Sequence, residues 1–248
     1  MIKAYGKSDI GLVREKNEDF IFVSETQIGI LENLFIISDG MGGCNAGEIA
    51  SEYSILFFIE YIKKNRIHKL NDKEILDLLK NALNYANNKV FEASCNNHRL
   101  NGMGATFSGT TFFEENFYFV HVGDSRIYFI DSDNIKQISI DHTYVNELLQ
   151  AGKINKSEAK NHPKKNIITR AVGTKKNIEI DVFKLKSKKN KILMCSDGLT
   201  NCLNDKEIFN IVDKNKNNIN KSLNELIDKS KLNGGYDNIS VILIEAKR

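Results

Sequence analysis

Two segments of this chain share one layout, in which an apolar strand runs directly into Ser-Asp-Gly. Leu34–Gly40 reads LFIISDG, and Ile192–Gly198 reads ILMCSDG. A third apolar run, Phe117–Val122, ends two residues before Asp124, and Asp237 lies just before the last apolar run of the chain. Because adjacent strands of a sheet end close to one another, we expect four carboxylates from distant stretches of sequence to meet at one place.

A single Asp-Gly pair most often marks a turn, and that interpretation holds for any one of these copies taken alone. Asp39 is different, because the glycine-rich stretch Gly40-Met41-Gly42-Gly43 leads into a helical pattern instead of a partner strand. Glycines at such a place let the backbone approach an ion closely, with a carbonyl oxygen free to bind it. Carboxylate and carbonyl oxygens suit Mg²⁺ or Mn²⁺ better than zinc.

The spacing of apolar residues predicts a mixed α and β chain with packed sheets. Strands are predicted at residues 20–23, 34–38, 106–113, 117–122, 126–130, 135–140, 178–185, 192–196 and 239–245. Helices are predicted at residues 46–64, 72–95, 145–151, 205–212 and 219–231, with Asp72 and Asp205 as N-caps. The helices fall between clusters of strands, which favours antiparallel sheets with helices packed against them over a doubly wound parallel sheet.

Composition bounds the partners that the chain can have. The 35 Lys and Arg against 32 Asp and Glu give a net charge of only +3, and the lysines are spread along the sequence, so no nucleic-acid partner is predicted. The N-terminus lacks the apolar segment of a signal peptide, and no uncharged apolar run reaches the length of a membrane span. No Gly-, Ser- or Pro-rich linker divides the sequence, so one domain over residues 1–248 is expected.

The cysteines carry no sign of a metal or redox site. Cys44, Cys95, Cys195 and Cys202 lack CxxC spacing. We therefore expect reduced thiols and a cytoplasmic protein.

A charged stretch that contains Arg14, Glu18 and Asp19 precedes the first strong strand. The ordinary interpretation of such a stretch is a solvated loop. The functional interpretation is that Arg14 clamps a phosphate bidentately beside acids that hold metal-bound water. The stretch alone does not decide between the two.

Eight motifs, taken in order, resemble those of the type 2C family of metal-dependent serine/threonine protein phosphatases, in its bacterial branch. The resemblance runs from Gly11 to Asn238, nearly the entire chain. The motifs are Arg14 with Asn17-Glu18-Asp19, Asp39-Gly-Met-Gly-Gly43, Gly102-Met-Gly-Ala-Thr106, Val122-Gly-Asp-Ser-Arg126, Asp141-His142, His162-Pro163 with Ile168-Thr-Arg-Ala-Val-Gly173, Ser196-Asp-Gly-Leu199 and Gly234-Gly-Tyr-Asp-Asn238. Each motif is unspecific by itself, whereas the ordered set is specific.

The resemblance implies a centre for two Mn²⁺ or Mg²⁺ ions. Asp39 would bridge both ions, and the Gly40 carbonyl would bind one of them. Asp197 and Asp237 would complete the other. Many bacterial members hold a third, weaker ion, which Asp124 would contact together with Asp197.

The resemblance also assigns roles around the ions. Glu18 and Asp19 would act through water, and Arg14 would bind the substrate phosphate. Arg14 and Asp39 are therefore the residues expected to take part in catalysis. The segment 141–173 would form a flap beside the active site and contribute to the choice of substrate.

The implied fold is α+β, a central sandwich of two antiparallel sheets flanked by helices on both outer faces. The implied activity is hydrolysis of phosphoserine and phosphothreonine in proteins by a metal-activated water. The partners would be phosphorylated proteins, a Ser/Thr kinase and its targets among them, without nucleic acid or membrane. The alternative is an inactive phosphoprotein-binding module on the same fold, and the presence of every expected ligand favours the enzyme.

The chain departs from the family at the residues that commonly protonate the leaving group. Some members carry His where Met41 stands, and bacterial members commonly carry His where Cys44 stands. The hypothesis is that a metal-bound water supplies the proton, with His142 or His162 as alternatives that could equally be structural. A smaller departure is Asn201, where an Asp often stands.

A different phosphatase class is suggested by Asp131 and Asp133, which resemble the Asp-x-Asp start of haloacid-dehalogenase-like enzymes. In that class the first Asp forms an aspartyl-phosphate. A Thr or Val would be expected where Ile135 stands, so a hairpin turn is the favoured interpretation.

Overall fold

The computed structural model describes residues 2–42, 46–65, 71–187 and 190–246. Within these ranges, eleven strands form two antiparallel sheets. The strands are β1 Ile2–Asp9, β2 Asp19–Ser24, β3 Leu34–Met41, β4 Gly104–Ala105, β5 Phe107–Phe113, β6 Asn116–Val122, β7 Arg126–Ile130, β8 Ile135–Gln137, β9 Asp181–Lys186, β10 Lys191–Cys195 and β11 Ile239–Ala246. One sheet has the order β1-β11-β10-β7-β8, and the other has the order β2-β3-β5-β6-β9, with β4 paired to β3.

The two sheets pack face to face, because each strand turns alternate apolar side chains toward the other sheet. Phe35 and Ile37 of β3 share one core with Ile192 and Met194 of β10. The intervening residues of β3, among them Ile36, point instead to the outer face of their sheet. Because both faces of these strands are covered, they read as continuous apolar runs, and this is why they could be recognised from sequence.

Helices cover both outer faces of the sandwich. The helices are α1 Gly47–Lys64, α2 Asp72–Asn96, α3 Tyr144–Gln150, α4 Lys156–Lys160, α5 Asp197–Thr200, α6 Asp205–Lys214 and α7 Ile219–Leu232. α1 and α2 pack on the sheet that contains β3, and α5 to α7 pack on the sheet that contains β10. The predicted α+β fold, with two antiparallel sheets between helical layers, is confirmed.

The predicted N-caps of two helices were wrong, and one strand was missed. The N-caps of α2 and α6 are Asn71 and Asn204, and each forms a capping box with a glutamate three residues later, so Asp72 and Asp205 are the first helical residues. The strand β1 was not predicted, because most of its side chains are polar or exposed. It pairs along its whole length with β11 at the edge of its sheet.

No helix in the described part of the chain is both long and apolar enough to span a membrane. Gly43 and Cys44, which belong to the glycine-rich motif and to the question of the leaving-group proton, lie outside the described residues.

Candidate metal centre

Asp19 and Asp39 lie directly opposite each other on the paired strands β2 and β3. The backbone of Asp39 is fixed by Thr106, since the Asp39 N–H donates to Thr106 Oγ1 (2.9 Å) and the Thr106 N–H donates to the Asp39 carbonyl (2.8 Å). Gly40 follows in close contact with the loop before β2 and with the start of α1. A Cβ at Gly40 would lie 2.0 Å from the Gly47 carbonyl oxygen, so only glycine fits there.

Two turns from the other sheet bring Asp197 and Asp237 to the same end of the sandwich. Asp197 is the first residue of α5, directly after β10, and Asp237 lies two residues before β11. The turns touch, because a Cβ at Gly198 would lie 2.0 Å from the Asn238 carbonyl oxygen and 3.4 Å from the Asp237 Cβ. The Ser196 hydroxyl joins the two sheets at this end by donating to Asp19 Oδ2 (2.8 Å).

Arg14 and Glu18 border this cluster from the N-terminal loop. Arg14 Nη2 donates to Asp237 Oδ2 at 2.8 Å, and Arg14 Nη1 is 4.0 Å from Glu18 Oε2. The Arg14 side chain remains 48% exposed, so its guanidinium is accessible to a ligand. The hydrogen bond to Asp237 raises the pKa of Arg14 further, which keeps a positive charge beside the acids.

Asp124 lies in the turn between β6 and β7, and His142 holds that turn. The backbone N–H of Gly123 donates to His142 Nδ1 (3.0 Å), and the backbone N–H of His142 donates to the Gly123 carbonyl (2.9 Å). His142 Nε2 lies 3.2 Å from Asp181 Oδ2, and the ring is only 4% exposed. The contacts of His142 are therefore those of a structural residue. His162 lies in the loop after α4, where its Nδ1 accepts the Lys164 N–H.

The carboxylates act on one another electrostatically. Burial, reinforced by the charges of Asp19, Asp197, Asp124 and Asp237, raises the pKa of Asp39 well above its usual value. Burial also raises the pKa values of Asp19 and Asp124 to about 7. The pKa of Asp197 is raised by burial and then by the charge of Asp237. The sequence-predicted aspartates are thus brought together around Asp39.

The donor set fits hard divalent cations, which bind carboxylate oxygens. One carboxylate oxygen, Asp19 Oδ1, is buried and has no hydrogen-bond partner among the described residues, so it is free to accept from a metal-bound water. The ligands are not already gathered on one point: within the described ranges, no group of three or more acidic, His or Cys side chains is arranged to hold an ion. Arg14 and Asn201 instead hydrogen-bond oxygens of Asp237 and Asp197.

The roles of several residues within the motifs were not recognised from sequence. Thr106 fixes Asp39 and is itself hydrogen-bonded to Ser125 (2.7 Å). Asn238 accepts the Glu18 N–H (2.8 Å) and donates to the carbonyls of Ile10 and Lys16 (3.0 and 2.9 Å), so it ties the N-terminal loop to β11. Asn238 adjoins Asp237 in its motif, whereas the motif that contains Thr106 has no acid and gave no signal of its contact with Asp39.

Asp131 and Asp133 do not belong to this cluster. They form the tight turn of the β7–β8 hairpin. Asp131 Oδ1 accepts the N–H groups of Asp133 (3.0 Å) and Asn134 (2.8 Å), and Ile130 pairs with Ile135. The hairpin interpretation of this segment is confirmed.

Taken together, the fold and the site define a centre that can place divalent cations and an anion side by side at one end of a β-sandwich. Comparison with known proteins agrees. The sequence profile of the Protein phosphatase 2C family matches residues 13–228. The serine/threonine phosphatase stp of Listeria innocua serovar 6a is 34% identical over 245 residues, which cover 96% of this chain and 94% of that protein.

Solved structures are similar over almost the whole chain. The serine/threonine phosphatase Stp1 of Staphylococcus aureus superposes with a TM-score of 0.91 at 32% identity, covering 100% of this chain and 96% of that one. The catalytic domain of the serine/threonine protein phosphatase PstP, solved in complex with two manganese ions, superposes with a TM-score of 0.83 at 28% identity, covering 98% and 97%. This chain belongs to the protein phosphatase 2C family.

Proposed function

We propose that this protein hydrolyses phosphoserine and phosphothreonine in proteins with the help of two Mn²⁺ or Mg²⁺ ions. The observation that carries the proposal is that Asp19, Asp39, Asp197 and Asp237, from four separate stretches of chain, lie at one end of the sandwich beside an accessible Arg14. The names of the relatives and the two manganese ions of the PstP complex support it.

Asp39, Asp197, Asp237 and the Gly40 carbonyl would hold the two ions. When bound, such ions lower the pKa of a coordinated water toward neutrality and neutralise phosphoryl oxygens. Asp124 would contact a third ion together with Asp197, since both lie at the edge of the same cleft.

The roles of the remaining residues follow from their contacts. Glu18 and Asp19 would orient water, because Asp19 has one carboxylate oxygen committed to Ser196 and one without a partner among the described residues. Arg14 would bind the phosphate, because its guanidinium is half exposed and adjoins Asp237. A planar guanidinium can donate two parallel hydrogen bonds to one phosphate group.

For the leaving-group proton, we propose water at the metal centre. His142 is committed to Gly123 and Asp181, and His162 is committed to the backbone of the flap. Neither ring is hydrogen-bonded to one of the proposed ligand carboxylates. Alanine at both positions separates these alternatives. If water supplies the proton, the folded double variant keeps its activity on a phosphoserine peptide.

We further propose that the partners are phosphorylated proteins, among them a Ser/Thr kinase and its targets, and that the protein acts in signalling in the cytoplasm as one catalytic domain with a flap at residues 141–173. Cys95, Cys195 and Cys202 are free thiols within the described residues, which is typical of a reducing compartment. The alternative function, an inactive phosphoprotein-binding module, would be favoured if no metal-dependent turnover were found.

The test is hydrolysis of p-nitrophenyl phosphate and of a phosphothreonine peptide by the wild type, Asp39→Asn and Asp237→Asn, each with Mn²⁺ or with EDTA. We expect Mn²⁺-dependent turnover by the wild type and losses on the order of 10³-fold in both variants, because several kcal/mol of transition-state stabilisation are removed. Asp131→Asn is the matched control and should retain full activity. Absence of Mn²⁺-dependent turnover in the wild type would refute the proposal.

A further inference from the structure

A cleft of about 800 Å³ opens beside the metal centre. Asp124 and Asp197 are among the residues that line it. One wall is formed by the flap through α3, α4 and the loop that follows, and the facing wall is the segment from α5 to the first turn of α6. A polypeptide whose phosphorylated residue reaches the metal centre therefore has room to extend along this cleft.

The flap wall of the cleft is basic. Lys156 and Lys160 are four residues apart on α4, so they share one face of that helix. Lys165 follows in the loop, and all three lysines line the cleft and are exposed. Within the described residues, none of these three lysines, called the flap lysines below, has a carboxylate within 4.0 Å.

Of the acids that line the cleft, Asp141 is ion-paired with Arg126, Asp124 and Asp197 belong to the metal centre, and Asp205 and Glu207 lie on the facing wall with hydrogen bonds from neutral groups. Asp141 accepts three hydrogen bonds from Arg126 at 2.7 to 3.1 Å. Asp205 accepts the Tyr128 hydroxyl (3.0 Å), and Glu207 closes the capping box of α6. Among the described lysines that line the cleft, Lys206 on the facing wall likewise has no carboxylate within 4.0 Å. Three of these four unpaired lysines lie on the flap wall, which also carries no unpaired acid among the described residues that line the cleft.

We propose that the flap lysines select phosphoprotein segments that carry acidic side chains close to the phosphorylated residue. The inference rests on the proposed function, because the phosphorylated residue must lie at the metal centre for its neighbours to reach the cleft. Complementary charge attracts such segments and favours them over neutral ones. Exposed ion pairs are individually weak, so the combined preference is expected to be about tenfold and to decline at high salt.

The test uses two phosphothreonine peptides that differ only in flanking residues, four Asp or Glu in one and four Asn or Gln in the other. The kcat/KM ratio of the acidic to the neutral peptide is measured for the wild type and for the Lys156→Ala, Lys160→Ala, Lys165→Ala triple variant. We expect a ratio of about ten in the wild type and of about two or less in the variant. A triple variant at exposed lysines outside the cleft, Lys3→Ala, Lys80→Ala and Lys186→Ala, removes the same charge and should keep the wild-type ratio.

Two readouts separate the failure of this inference from failure of the proposed function. Mn²⁺-dependent turnover of p-nitrophenyl phosphate by the wild type reports on the function alone. Fluorescence anisotropy of the two labelled peptides reports binding without turnover, and thermal unfolding shows that each variant is folded. A wild type that treats both peptides alike, or a folded flap-lysine variant that keeps the tenfold preference in binding and in kcat/KM, would overturn the inference.

Discussion

At the scale of single residues, the centre is a set of carboxylates whose charges oppose one another. Asp19 is buried against Ser196, and Asp39 faces it across two paired strands. Burial and mutual repulsion raise the pKa of each. Ionising all of these carboxylates is unfavourable without a compensating cation, which is what the proposed metal centre would supply.

A substitution at Arg14 tests whether this residue binds the substrate phosphate. Arg14→Lys keeps the positive charge but loses the planar, two-pronged donor geometry. We expect kcat/KM for a phosphothreonine peptide to fall about 10- to 100-fold, because a charge-assisted hydrogen bond contributes about 1.5–3 kcal/mol. Steady-state kinetics at saturating Mn²⁺ measure the change, and Arg99→Lys, in the short turn after α2, serves as the control. Equal kcat/KM for Arg14→Lys and the wild type would remove Arg14 from the site.

The site residues could be proposed from sequence only in part. Asp39 and Asp197 stand out because an apolar run predicts a strand that ends at each of them. Nothing local in the sequence shows that Ser196 reaches Asp19 or that Thr106 fixes Asp39, because both contacts depend on how strands distant in sequence are placed. The resemblance to known phosphatases supplied the grouping that periodicity could not.

At the scale of elements, the buried side chain of Asn238 ties the N-terminal loop to the last strand. Asn238 is 4% exposed and bonds to backbone groups of Ile10, Lys16 and Glu18. Its position just before β11 lets it link the last strand with the loop that carries Arg14. From sequence, this charged loop could be either a solvated loop or a functional one. Its anchoring was not foreseeable, because Asn238 lies more than 200 residues away in sequence.

Asn238→Ala should therefore affect both stability and metal binding. We expect the free energy of unfolding to fall by about 2–3 kcal/mol, because three hydrogen bonds are lost and buried backbone groups are left unpaired. Urea unfolding of the metal-free protein measures this change, and calorimetric titration with Mn²⁺ should show weaker binding. Asn210→Ala, at an exposed position of α6, should change the stability by less than about 0.5 kcal/mol. Comparable effects of the two substitutions would contradict the anchoring role.

At the scale of the whole molecule, the sandwich brings together elements that are far apart in sequence. Asp19 and Asp39 belong to one sheet, whereas Asp197 and Asp237 flank strands of the other. The order and type of most elements were predictable because β3, β10 and β11 are continuous apolar runs and the long helices have apolar residues at helical spacing. The edge strand β1 escaped prediction because edge pairing needs no apolar pattern.

The charge of the centre makes global stability depend on pH and on metal. Asp19 and Asp124 have pKa values of about 7 in the folded protein against 3.8 when unperturbed, so the folded state binds more protons between these values. Their contribution to the stability of the metal-free protein is therefore favourable at low pH and is lost as pH rises toward 7. Mn²⁺ should reverse this loss, because its positive charge stabilises the deprotonated form of carboxylates that bind it or lie beside it.

We expect saturating Mn²⁺ to raise the Tm by about 5–10 °C at pH 7.5, since ligand at 100 times its Kd adds about 2.7 kcal/mol. The increase should be clearly smaller at pH 5.5. Differential scanning fluorimetry with Mn²⁺ or EDTA measures both values. Asp131→Asn should behave as the wild type and Asp39→Asn should show little shift; a shift that Asp39→Asn retains in full would place the bound ions elsewhere.

The central claim is that one pair of cations is shared by acids from both sheets, and anomalous scattering at the manganese edge tests it most directly. In crystals grown with Mn²⁺, two anomalous peaks should lie within about 2.0–2.6 Å of carboxylate oxygens. Both peaks should contact Asp39, and one of them should also contact Asp197 and Asp237. A third, weaker peak beside Asp124 and Asp197 would be the proposed third ion. No pair of peaks that shares Asp39, or no peak at this end of the sandwich, would contradict the account.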